Sequence, residues 1–119
     1  MAYSPSDGEW VQELLAGLGP LTIKRMFGAA GVYHEGLMFA VIDDGVLWLR
    51  ADAENVEALK AAGSRQFEFQ SRDGEVMQLS YWTIPETAVD DPDEACDWAR
   101  ASIEAARRKA AAKKKPRKR

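Results

Sequence analysis

Apolar residues along this chain follow two rhythms, one of helical period and one of period two. Trp10, Val11, Leu14, Leu15 and Leu18 recur at the spacing that lays a stripe along one side of a helix. Ser6 and Glu9 form a capping-box pair ahead of the stripe, and Gly19-Pro20 ends it. These features predict a helix near residues 7–18. From Leu21 the pattern turns strand-like through "LTIKRMF", "GVYHEG" and "LMFAVIDDGVLWLRA". Asp44-Gly45 between two apolar runs predicts a hairpin turn, because glycine tolerates the positive φ that such a turn requires.

Asp52 then caps a short helix near residues 53–62, with Val56 and Leu59 inward and Gly63 at its end. A second hairpin follows in "RQFEFQSRDGEVMQLSYWTI". Phe67 and Phe69 alternate with Glu68 and Gln70, and Asp73-Gly74 makes the turn. Met77, Leu79 and Tyr81 share a face. A long last helix is expected over residues 92–110, with Asp91 at its cap, Pro92 in its first turn and Glu94 at the third position. Cys96, Ala99, Ile103 and Ala106 recur at helical spacing, so this helix can lie on the sheet.

Strands joined by short turns pair antiparallel, and helices must cover one or both faces of the sheet they make. The expected class is α+β, an antiparallel sheet of about five or six strands packed with three helices and followed by a disordered basic C-terminal tail. The length suits one domain. Its folded part is placed at residues 1–106 and the tail at 107–119.

"RMFGAAGVYHEG", residues 25–36, raises the question whether a GxxG here cradles a phosphate. A cradle needs backbone N–H groups converging at a helix N-terminus, and a Walker loop needs Lys-Ser/Thr after its glycines. Neither context is present, and both flanks read as strand. The glycines are therefore expected to bend the chain between strands.

Charge changes the picture more than bulk composition does. The net charge is −3, yet the last thirteen residues carry nine Lys/Arg and no acid. Removing those nine from 16 bases leaves seven against 19 acids, so residues 1–106 carry −12. An acidic body with a basic tail points to an interaction tail on a body that repels polyanions. The tail bases Arg107, Arg108, Lys109, Lys113, Lys114, Lys115, Arg117, Lys118 and Arg119 are the candidate nucleic-acid contacts. No run approaches the roughly 18 apolar residues of a membrane span, and no signal-peptide core precedes the first helix, so a cytoplasmic protein is expected.

Candidate chemistry is sparse. The one cysteine, Cys96, lies on the apolar stripe of the last helix and reads as a buried, inert thiol. The one histidine, His34, precedes Glu35, but adjacent strand residues face opposite ways, and His34 reads as a surface turn residue. Asp43-Asp44, Asp90-Asp91 and Asp93-Glu94 surround a turn and a helix cap and lack the alternation of a calcium loop. Neither a metal nor a cofactor is expected.

Trp48 and Arg50 should oppose Leu47 and Leu49, as Trp82 opposes Tyr81. Sheet aromatics beside an arginine can stack bases. A sheet sandwiched by helices would instead bury them, and burial is the reading preferred here. Lys24-Arg25 is the one adjacent basic pair of the body, read either as edge-strand charge or as a candidate partner surface.

"RMFGAAGVYHEGLMFAVIDDGVLWLRAD", "AAGSRQFEF", "LSYWTIPE" and "DDPDEACDWARASIEAA", in that order, resemble the N-terminal domain of the TfoX/Sxy competence-regulator family over nearly all of residues 8–108. The resemblance implies an α+β domain, a link to bacterial transcriptional control of DNA uptake, and no catalytic residues to carry over. The function expected is a non-enzymatic regulatory domain with an unknown protein partner, its tail adding weak, nonspecific attraction to nucleic acid. The alternatives are a small enzyme with an unrecognised pocket and a direct nucleic-acid-binding module.

Overall fold

The computed structural model describes residues 3–70, 74 and 76–114, with the backbone alone at 69, 70, 76–78 and 114. In chain order the elements are α1 (Pro5–Leu14), a 3-10 turn (Ala16–Leu18), β1 (Thr22–Met26), β2 (Ala29–His34), β3 (Leu37–Asp43), β4 (Val46–Arg50) and α2 (Val56–Ala61). Then come β5 (Gln66–Gln70), β6 (Val76–Thr83), a second 3-10 turn (Glu86–Ala88) and α3 (Pro92–Lys114). The strands form one sheet in the order β1-β2-β3-β4-β6-β5, with every neighbouring pair antiparallel. The α+β class expected from the sequence is the fold observed.

Three successive two-residue turns join β1 to β4: Phe27-Gly28, Glu35-Gly36 and Asp44-Gly45. Both residues of each turn have positive φ, 50° and 83°, 51° and 83°, 54° and 74°. That geometry matches the right-handed twist of the flanking strands. The GxxG glycines thus do different jobs. Gly28 is the second residue of the β1–β2 turn, whereas Gly31 lies within β2, paired with Lys24 and Val41. Neither opens a helix. At the other expected turn Asp73 lies outside the described residues, although β5 and β6 pair on either side of it.

Helix boundaries depart from expectation for local reasons. Ser4, not Ser6, is the N-cap of α1, and the Asp7 carboxylate accepts the Ser4 backbone N–H at 3.3 Å. Pro5 decides this register, because the first helical position has no use for the N–H that proline lacks. The helix stops at Leu14 and a tighter 3-10 turn carries the chain to Leu18. Residues 53–55 form a turn rather than helix. The Asp52 carboxylate accepts the Glu54 N–H at 3.0 Å and the Asn55 side chain accepts the Asp52 N–H at 2.7 Å, which holds the backbone out of the helix. At the start of α3 the expected cap is observed, Asp91 accepting the Glu94 N–H at 3.1 Å. That helix continues to Lys114, beyond the expected 110, because "RRKAAAK" consists of strong helix formers and its bases complement the C-terminal dipole.

All three helices share one core with one face of the sheet. Val11 and Leu14 of α1, Leu15 just after it, Leu59 of α2, and Ala95, Cys96, Ala99, Ile103 and Ala106 of α3 pack on Val32, Ala40, Ile42, Leu47 and Leu49. A bulge where β2 meets β3 turns Phe39 and Ala40, adjacent in sequence, into this same core. The C-terminal part of α3 is tied down by charge. Arg108 grips the Asp52 carboxylate with two N–H donors at 2.7 and 3.0 Å and comes within 3.6 Å of Glu54.

The Arg108 hydrogen bonds, aided by those from the Glu54 and Asn55 backbone, hold the Asp52 carboxyl below the usual carboxylate range despite some opposing desolvation. A carboxylate whose folded pKa is depressed stabilises the fold above its unfolded value and loses that contribution as pH falls through the folded one. The gap in melting temperature between wild-type and Asp52→Asn protein should therefore be constant from about pH 5 to 8 and close below about pH 4. Gly28→Val should destabilise the fold by about 1–3 kcal/mol, since a β-branched residue is strained at φ 83°. An unchanged melting temperature would refute that account.

Candidate functional site

The strand residues that alternate with the core set build the opposite face of the sheet. Register places Lys24, Gly31, Val41, Trp48 and Thr83 in one row across five strands. A helical layer confined to one face leaves this row outside the main core; of the one-face and two-face arrangements that the sequence left open, the described residues form the first. Trp48 is half-buried on the uncovered face, with Phe67 against it edge-on at 4.6 Å between ring centroids. Trp82 does join the helix-side core, as the alternation requires. The preferred burial reading therefore holds for Trp82, while Trp48 belongs to a face that covers itself.

That face is a groove of about 350 Å³, lined by Met26, Phe27, Ala29, Met38, Val41, Phe67, Leu79 and Tyr81. Six strands spaced about 4.8 Å apart would hold β1 and β5 roughly 24 Å from one another in a flat sheet. Residues near both edges line one groove, so the sheet is curled and this face is concave. Gly31 keeps the floor low. A Cβ there would come within 2.6 Å of the Met38 sulfur and 3.0 Å of the Met26 methyl. At the rim stands Phe27, 91% exposed and with φ 50°.

Cations sit over the aromatic rings. Lys24 lies 5.0 Å from the Tyr33 centroid, Arg50 4.9 Å from Tyr81 and Arg65 5.9 Å from Trp48. Arg50 also donates to the Tyr81 hydroxyl at 2.7 Å and, more weakly, to the Met38 carbonyl at 3.4 Å. Burial pushes the Tyr81 phenol above its ordinary pKa, and the nearby guanidinium partly offsets this. Among the described residues none of these three cations has a carboxylate partner. The body they belong to carries 19 acids against seven bases, which makes that lack of pairing notable.

The other sequence candidates separate. Lys24 and Arg25 divide between the faces, Lys24 over Tyr33 in the groove face and Arg25 5.4 Å from the Tyr3 ring beside α1. β1 is an edge strand, so both bases lie on an edge of the sheet. His34 is half-buried at the end of β2 rather than in a turn, in a hollow beside Leu18, Ile103 and Arg107; the turn is Glu35-Gly36. Cys96 is buried, its sulfur 3.9 Å from the Leu14 carbonyl. Among the described residues no group of three metal-ligating side chains comes together.

Of the tail bases, Arg107 and Arg108 are on α3 and turn back to the body. Arg107 pairs with Glu104 and lies 3.7 Å from Glu35, while Arg108 holds Asp52. Lys109 and Lys113 are on the same helix, as is the backbone of Lys114; Lys115, Arg117, Lys118 and Arg119 lie outside the described residues. What the sequence reading passed over is Phe27. Its signal is the pair Phe-Gly between two strands, where a two-residue turn puts both residues at positive φ and the first side chain at the rim.

A bulky residue in the left-handed region costs on the order of 1 kcal/mol, and Phe27 recovers none of it by burial. Phe27→Asn converts the turn to Asn-Gly, the preferred pair for this geometry. It should raise stability by about 1 kcal/mol in denaturant titration. A loss of stability would mean that the ring is held by the protein.

A search among curated proteins finds no match to the chain. The family model for the TfoX N-terminal domain matches residues 13–106, a span that includes all six strands, α2 and the part of α3 that covers the sheet. With that match over most of its length, and with the α+β architecture expected from the resemblance, the chain belongs to the TfoX N-terminal domain family.

Proposed function

We propose that this domain is a non-enzymatic regulator, acting in the bacterial cytoplasm by binding a protein partner in transcriptional control, with its basic C-terminus adding weak attraction to nucleic acid. The observation that carries the reading is the uncovered concave sheet face with Phe27 standing from its rim. Exposed apolar patches rimmed by polar groups mark interaction sites. Membership of the TfoX N-terminal domain family supports the regulatory part of the reading. Among the described residues, those whose acidity is displaced, Asp52, Tyr81 and Arg108, are each engaged in a structural hydrogen bond, which favours binding over catalysis. No described helix is long and apolar enough to cross a membrane.

Affinity capture from the native cell, with and without nuclease, tests the central point. Partners retained after nuclease treatment support the reading, and recovery that depends wholly on nucleic acid refutes it.

The C-terminal contribution is tested separately. Arg107 and Arg108 are spent on ion pairs within the body, so the bases from Lys109 onward carry any contact with phosphate. A chain shortened to end at Ala110 keeps the Arg108 grip on Asp52, whereas a cut after Ala106 would remove it. Binding of the full chain to labelled duplex should be weak and indifferent to sequence. With about six phosphates engaged, it should fall on the order of a thousandfold between about 50 and 200 mM salt. The shortened chain should lose that binding and keep its melting temperature. Equal binding by both would place the nucleic-acid site on the body.

A further inference from the structure

We propose that the concave sheet face is a docking groove for an acidic peptide segment that carries a large apolar side chain, an assignment that deepens the protein-partner reading above and rests on it. The argument begins with charge. Lys24, Arg50 and Arg65 lie on this face, each over an aromatic ring and without a carboxylate partner among the described residues, in a body of net −12. Cations in so acidic a molecule would ordinarily be paired by its own surplus. The helical layer shows that pairing, with Lys60 bound to Glu57, Arg100 to Asp97 and Arg108 to Asp52. Among the described residues no carboxylate meets this positive charge, and an outside carboxylate would complement it.

Shape supplies the second half. The groove of about 350 Å³ is floored by Met26, Met38, Val41 and Leu79, aliphatic or thioether groups that adapt to the side chain they receive. Phe27 overhangs it, 91% exposed in a strained turn, the form of an aromatic anchor awaiting a partner. The cations stretch from β1, at one edge of the sheet, to Arg65 just before β5 at the other. None of the three cations lines the groove itself, so the fitting ligand is one that runs across the strands beyond the groove, as a peptide does.

Other occupants fit less well. A second copy would set one concave face against another and bring the unpaired cations of both together. Single-stranded nucleic acid would find Tyr81 and Phe67 largely buried instead of open to stacking.

The test is selection of a phage-displayed random peptide library against the immobilised full chain, followed by titration of a synthesised winner. The expected winners combine Phe, Leu or Trp with neighbouring Asp or Glu. Affinity should drop about tenfold or more in Phe27→Asn, a hot-spot loss in a variant chosen to keep the turn. It should also drop in Lys24→Glu/Arg65→Glu, and weaken with added salt. Winners lacking acids, failure to enrich any peptide, or undiminished binding by Phe27→Asn would each overturn the proposal. So would a dimer in sedimentation that Phe27→Asn dissociates, which assigns the groove to a second copy. Competition by oligothymidine that Phe27→Asn abolishes would assign it to nucleic acid. Failure of the groove is distinguishable from failure of the function: cellular partners captured equally by wild-type and Phe27→Asn protein would leave the regulatory reading standing with its contact elsewhere.

Discussion

Helix α3 meets the sheet along a strip of small residues, Ala95, Cys96, Ala99 and Ala106, with Ile103 as the one large side chain among them. Small groups on the contact line let the helix backbone come close to β3 and β4, and the rest of the architecture follows from that approach. Among the described residues there are two further α-helices, and both join the same core beside α3. All helical cover is thereby used on one side. The Arg108–Asp52 pair fixes the far part of α3 to the start of the β4–α2 connection, so the cover does not slide.

The second side of the sheet must protect itself, and it does so with its own longest side chains. Trp48 leans on Phe67, and the charged groups of Arg65, Arg50 and Lys24 lie over Trp48, Tyr81 and Tyr33. Contacts of this kind each contribute about 0.5–2 kcal/mol, more where water is excluded, and they hide ring surface without a second layer of helices. Phe27 stands apart from this economy. Its ring is neither stacked nor covered, and its backbone is in a conformation that most residues avoid. Local rules broken without a visible structural return are the mark of a surface shaped by something other than folding.

Much of this fold was legible from periodicity. Asp91-Pro92-x-Glu94, the Asp44-Gly45 turn and the split between Leu47/Leu49 and Trp48/Arg50 each carry a local physical cause that the sequence displays. Features needing tertiary information were not legible. The bulge that puts Phe39 and Ala40 on one side breaks the period-two rule from within. The Ser4 register of α1 was masked by a second serine with its own acid three residues on. One-sided helical cover could not be deduced, because strand alternation says which residues share a face but not which face is left bare. The groove was hidden for the same reason, since it depends on curl that brings the first and last strands toward one cavity.

Strand order has a consequence for how the molecule holds together. Turns of two residues join β1 through β4, so those pairings close almost no loop. The β4–β6 pairing is different, since Arg50 and Tyr81 meet from 31 positions apart. Closing the longer loop costs about 2 kcal/mol more in chain entropy. The sheet is in effect two locally wound ribbons, β1–β4 and β5–β6, stitched along a single seam. Met26, Met38 and Val41 line the groove from one ribbon, and Phe67, Leu79 and Tyr81 from the other. A ligand filling that groove would touch both ribbons across the seam, so occupancy of the surface and cohesion of the fold are thermodynamically linked.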